Sequence, residues 1–113
     1  MFQTDLSIKL EQEKTAENER LKGNEFVKAK DFEEAIKSYS RSLEINKDEP
    51  FTFANRAMAY LKMKNFKMAI EDATKAIELK PGYLKAYHRR GKANQALNKF
   101  EDAIKDFQYI LEN

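Results

Sequence analysis

Apolar residues return every three or four positions along most of this chain, with polar and charged residues between them. Ile36, Tyr39 and Leu43 mark one such stripe. Ile70, Ala73 and Ile77 mark a second, and Ile104, Phe107 and Leu111 a third. The pattern predicts a helix up to about Ala29 and further helices over about 32–45, 49–63, 66–79, 83–97 and 100–111. The breaks agree with the stripes. Asp31 with Glu34 three residues on reads as an N-cap and its partner. Asp48-Glu49-Pro50 reads as a cap followed by proline in the first turn, and Lys80-Pro81-Gly82 as an interruption before the next helix. Only three Gly and two Pro occur in 113 residues, which fits long helices joined by short loops.

The helices repeat. DFEEAI from Asp31, NFKMAI from Asn65 and KFEDAI from Lys99 align at a constant step of 34 residues, which Phe32, Phe66 and Phe100 keep. That period is the spacing of a helix–turn–helix solenoid, so the expected fold class is all-α with three tandem units. Their expected bounds are 16–49, 50–83 and 84–113, with residues 1–15 extending the first helix. Gly23, Ala57 and Gly91 fall in one repeat column, where a small residue lets a neighbouring helix approach. The final helix would show Phe107, Ile110 and Leu111 to solvent, as expected of a unit without a C-terminal capping helix or with a self-association surface.

Composition narrows the chemistry. Hydrophobic residues make up 42% and charged residues 35%, a globular rather than a disordered mix. A net charge of +2, from 21 Lys+Arg against 19 Asp+Glu, is unlike a dedicated nucleic-acid binder. The distribution says more. No acid lies between Leu84 and Phe100, which holds Lys85, Arg89, Arg90, Lys92 and Lys99. The helix from Phe51 to Lys64 also lacks acids and carries Arg56, Lys62 and Lys64, while acids gather in the second helix of each pair. If the first helices line the inner face of the stack, that face should be positive. Lys85 and Arg89 share a helix face, where like charges mildly repel, so an external anion is a natural partner.

With no Cys, disulfides, zinc thiolate sites and cysteine nucleophiles are excluded. His88 is the single histidine, and without a matched nucleophile or a phosphate loop it reads as lining or packing. Met58, Met63 and Met68 read as packing filler. No cofactor and no metal are expected, and the chain is not expected to be an enzyme. MFQTDLSIKLEQEK lacks the apolar core of a signal peptide, and no run reaches the roughly 18 apolar residues that span a bilayer. The expected location is cytoplasmic or nuclear, with no membrane partner.

ERLKGNEF around Gly23, FANRAMAYLK around Asn55 and LKAYHRRGKA around Arg89 resemble the carboxylate-clamp tetratricopeptide repeat (TPR) co-chaperones. These include the heat-shock organising protein, the phosphatase with an N-terminal repeat domain and the RNA-polymerase-associated adaptor class. The resemblance covers about Ala16 to Asn113. It implies a short right-handed superhelix with a concave cationic groove. It also implies a clamp of Arg20 and Asn24 in the first helix, Asn55 in the third, and Lys85 and Arg89 in the fifth. The implied partners are the acidic C-terminal tails of heat-shock protein 90 and heat-shock protein 70. The implied role is that of a co-chaperone or adaptor in protein–protein interaction. Val27, Phe51, Met58 and Lys62 would contact tail residues before the terminal acid. Arg20 stands where Lys is usual; it keeps the charge but can hold a carboxylate through two parallel bonds. Asn94 replaces a common aromatic and Lys47 a common proline, both at packing positions. The alternative is a scaffold that binds an internal peptide or dimerises, without tail recognition.

Overall fold

The computed structural model describes residues 4–113 and contains six α-helices among them: α1 (Asp5–Lys28), α2 (Phe32–Ile45), α3 (Pro50–Lys62), α4 (Phe66–Leu79), α5 (Leu84–Ala96) and α6 (Phe100–Glu112). The extension expected over 1–15 is helical from Asp5, and its first three residues lie outside the described region. Helices follow the apolar stripes to within a residue or two. Asp31 caps α2 by accepting from the Glu34 N–H at 3.3 Å, as its spacing predicted. Glu49, rather than Asp48, caps α3, with Pro50 in its first turn.

Each first helix ends the same way, and without glycine. Lys30, Lys64 and Asn98 all sit at φ 61°. After α1, the Lys30 N–H donates to the Val27 carbonyl and the Asp31 N–H to the Phe26 carbonyl, at 2.9 and 2.8 Å. This is a Schellman turn, in which the left-handed residue lets two trailing N–H groups satisfy the helix's last carbonyls. The same pair of bonds recurs after α3 and α5.

Pairs α1/α2, α3/α4 and α5/α6 pack along their lengths, and α2/α3 and α4/α5 join them into an elongated stack of 58 × 28 × 19 Å. The first helices touch one another, α1 to α3 and α3 to α5; among the described residues no such contact joins α2, α4 and α6. One core cluster holds Ala35, Tyr39 and Ala59, with Phe26, Val27, Phe32 and Ile36 around it; the next holds Ala54, Ala76 and Ala86, with Phe53, Ile77 and Tyr83. Alanine at these crossings brings the backbones close. Where the facing residue is large, even alanine is too big. A Cβ on Gly23 would lie 2.5 Å from the Tyr39 ring, and one on Gly91 would lie 2.6 Å from Phe107. Phe107 was expected to face solvent, but Gly91 makes room for it and it is half-buried; Phe100, Ile104 and Leu111 carry the exposed apolar surface of α6.

Thr52 in α3 is fully buried, and its hydroxyl has no hydrogen-bond partner. An orphaned buried hydroxyl costs about 1–3 kcal/mol. Thr52→Val keeps the branched shape and removes the hydroxyl. It should raise stability by about 1 kcal/mol, seen as a higher urea midpoint at unchanged slope. A midpoint that falls or stays put would contradict this account.

Candidate functional site

Three helices meet at Asn24. Its Oδ1 accepts from the Tyr39 hydroxyl at 2.6 Å and from the Asn55 side-chain amide at 3.1 Å, which ties α1, α2 and α3 together at one polar point. Arg89 reaches the same place from α5, donating to the Ala54 carbonyl at 3.0 Å. Burial pushes the Tyr39 phenol up to about 12, against the pull of the Arg89 and Arg20 charges, so both guanidinium groups act on this hydroxyl. Asn24 and Asn55 are therefore joined directly beside Tyr39, Arg89 is held on the carbonyl of the residue before Asn55, and the Arg20 charge is felt at the Tyr39 hydroxyl. The fifth expected clamp residue, Lys85, is exposed one turn before Arg89 on the same helix, and no carboxylate pairs with it among the described residues. Arg20 stands at a polar cleft of about 240 Å³ that Glu13, Glu17 and Glu49 also line, and its ion pair with Glu17 is a loose 3.9 Å.

Beside Arg89 a pocket of about 530 Å³ opens between α3 and α5. Apolar Met58, Leu61 and Phe66 line it together with cationic Lys62, Arg89 and Lys92, and with exposed His88. Met58 and Lys62, two of the four residues the resemblance named for contacts before the terminal acid, line this pocket. Val27 and Phe51 stand apart from this pocket. Val27 packs against the Ala35, Tyr39 and Ala59 cluster. Phe51 meets Tyr83 edge-on at 5.3 Å, with the Lys80 ammonium 4.9 Å above its ring. Tyr39, Leu61 and Phe66 were not among the candidate site residues, and Lys92 was counted only as part of the acid-free cationic stretch. Tyr39 left a further signal: its repeat column holds Ala73 and Phe107 in the other units, so only the first unit offers a hydroxyl there.

The cations of the first helices divide into two kinds. Arg56 holds Asp72 through two bonds of 2.7 and 2.8 Å and also donates to Ser40; Arg90 holds Asp106 at 2.9 and 2.8 Å and donates to Thr74. Each clips its own helix pair to the second helix of the preceding unit and leaves no charge free. The Asp106 hydrogen bonds push the Arg90 guanidinium up, with burial opposing. For Arg56 burial works against the charge, yet Asp72 outweighs it and the guanidinium still rises. Arg89 moves the other way: burial pushes it down and no carboxylate answers, with only the Tyr83 and Tyr39 phenols pulling back. It is a part-buried cation without a counter-ion.

Comparison with known proteins places the chain in a family. Models of the tetratricopeptide repeat match residues 50–83 and 84–112, and a TPR repeat model matches 23–64. The second TPR of Spaghetti (RPAP3), bound to the HSP90 peptide SRMEEVD, superposes with a TM-score of 0.87 at 39% identity, over 89% of this chain and 94% of that one. The chain belongs to the tetratricopeptide repeat family. The TPR fold also matches the second TPR domain of human RPAP3 in complex with the HSP70 peptide SGPTIEEVD, with a TM-score of 0.81 and 37% identity, covering 91% of this chain and 83% of that one. Human serine/threonine-protein phosphatase 5 is 44% identical over 48 residues, which is 42% of this TPR chain and 10% of the phosphatase.

Proposed function

We propose that this chain is a co-chaperone or adaptor module that binds the acidic C-terminal tails of HSP90 and HSP70 through Arg20, Asn24, Asn55, Lys85 and Arg89. The observation that carries the reading is the uncompensated charge of Arg89. A cation held part-buried against a backbone carbonyl, while adjacent Arg90 is fully paired, is a standing site for a carboxylate from outside. The first helices α1, α3 and α5 touch one another in sequence, which supports a groove on that side of the stack. A terminal aspartate carries two carboxylates within a few ångströms. Asn24 and Asn55 supply neutral donors for them and Arg20, Lys85 and Arg89 supply charge. Upstream, the Met58, Leu61 and Phe66 pocket offers an apolar seat and Lys62 and Lys92 meet acids. The role is one of binding rather than catalysis, and the location that goes with it is cytoplasmic, with the nucleus as the alternative.

Charge-assisted bonds contribute roughly 1.5–3 kcal/mol each, and ordering a flexible tail opposes them by about 2–5 kcal/mol. A micromolar dissociation constant, near −8 kcal/mol, is therefore expected for the peptide SRMEEVD by fluorescence anisotropy. Its C-terminally amidated form should bind at least about tenfold more weakly. Equal binding of the two forms, or none, would sink the proposal. A second reading, self-association through α6, is favoured by the exposure of Phe100, Ile104 and Leu111. Light scattering showing a stable dimer, with tail affinity indifferent to Arg89→Met, would support it instead.

A further inference from the structure

Arginine side chains only donate hydrogen bonds, and a phenol can both donate and accept. The Tyr39 hydroxyl lies within electrostatic reach of the Arg20 and Arg89 guanidinium groups, neither of which has a lone pair to accept its proton. Its proton is then left for Asn24 Oδ1 at 2.6 Å. Asn55 contributes a second donor to that same oxygen at 3.1 Å. The Asn24 amide oxygen is thereby occupied, and its NH2 is the half that remains to face a ligand. The ring that delivers the hydroxyl is itself fixed, since Tyr39 is 1% exposed and packed where Gly23 has no Cβ.

We infer that Tyr39 is a positioning residue that locks the Asn24 amide with its donor outward, so that the site favours a carboxylate over a carboxamide. This rests on the tail-binding function proposed above. Turned over, the same Asn24 would present its oxygen, which repels a carboxylate but welcomes the N–H of a carboxamide. Without the phenolic proton one of the two bonds that hold the orientation is gone, and both orientations become available. Selectivity for a free terminus is thus set from α2, by a residue that does not itself touch the ligand.

Tyr39→Phe keeps the ring and removes the hydroxyl. The whole chain carrying it should fold with wild-type helicity. It should bind the free-acid peptide SRMEEVD about tenfold more weakly and the amidated peptide almost as before, so that discrimination between them shrinks by a similar factor. In an Asn24→Ala background the same change should do nothing further, whereas a general packing defect would act there too. Unchanged discrimination in the Phe variant, or a full loss repeated in the Asn24→Ala background, would overturn the assignment. A peptide-free measurement decides the orientation even if the variant does not fold. In the wild-type protein the Asn24 amide protons should give no strong NMR cross-peak to the Tyr39 ring edge, and a strong one would overturn the lock. If wild-type protein fails to distinguish acid from amide, the tail-binding function falls, while this cross-peak still decides how Asn24 is held.

Discussion

Replacing Asp72 with alanine is expected to destabilise the fold by about 3–5 kcal/mol, the range for removing one partner of a buried ion pair. Asp72 is 4% exposed and receives both arms of Arg56, which also reaches Ser40 in the preceding unit. Its loss leaves a guanidinium half out of water with no counter-ion and loosens three helices at once. The two partners feel burial differently. Burial pushes the Asp72 carboxyl up despite Arg56, whereas Arg56 gains more from pairing than it loses, consistent with side chains 5% and 17% exposed. The carboxylate gives up more hydration, so the pair as a whole contributes little net stability. Combining Asp72→Leu with Arg56→Met should accordingly recover most of what Asp72→Ala loses. Urea unfolding of the single and double variants checks both statements. A single variant within about 1 kcal/mol of wild type would contradict the first.

The second large effect lies in function and leaves the fold alone. Arg89→Met should weaken binding of SRMEEVD by roughly 10- to 150-fold, the loss of one charge-assisted contact at about 1.5–3 kcal/mol. Thermal unfolding should not move down, because burial already works against the charge of Arg89 and no carboxylate loses a partner when it goes. Arg90→Met, one residue along, should show the reverse pattern: a destabilised fold, since Asp106 is left buried and alone. Anisotropy and calorimetry on the two variants separate a ligand-facing arginine from a structural one. If both variants lose stability and affinity together, the division between them is wrong.

Much of this was open to inspection in the linear chain. The step of 34, the apolar stripes and the small residues at Gly23, Ala57 and Gly91 are local features, and they fixed the helices and their order. The candidate clamp of Arg20, Asn24, Asn55, Lys85 and Arg89 could be named because the segments around Gly23, Asn55 and Arg89 resemble the carboxylate-clamp family, not because spacing alone singles them out. What escaped depends on residues far apart along the chain meeting in space. Arg56 and Arg90 looked like free charge because their partners lie 16 residues on, across a turn, and nothing local joins them. Lys30, Lys64 and Asn98 hold left-handed turns that glycine would normally announce. Tyr39 passed as one more core aromatic, since the role of its hydroxyl appears only when α1 and α3 are brought alongside.

The column that holds Tyr39 has a further consequence for stoichiometry. Its counterparts are Ala73 and Phe107, and the counterparts of Asn24 are Met58 and Lys92. Neither later unit can therefore rebuild the amide centre, however alike the three backbones are. On the proposed function these three units would hold one tail at a time, and avidity for a two-tailed partner would need a second site tethered to them.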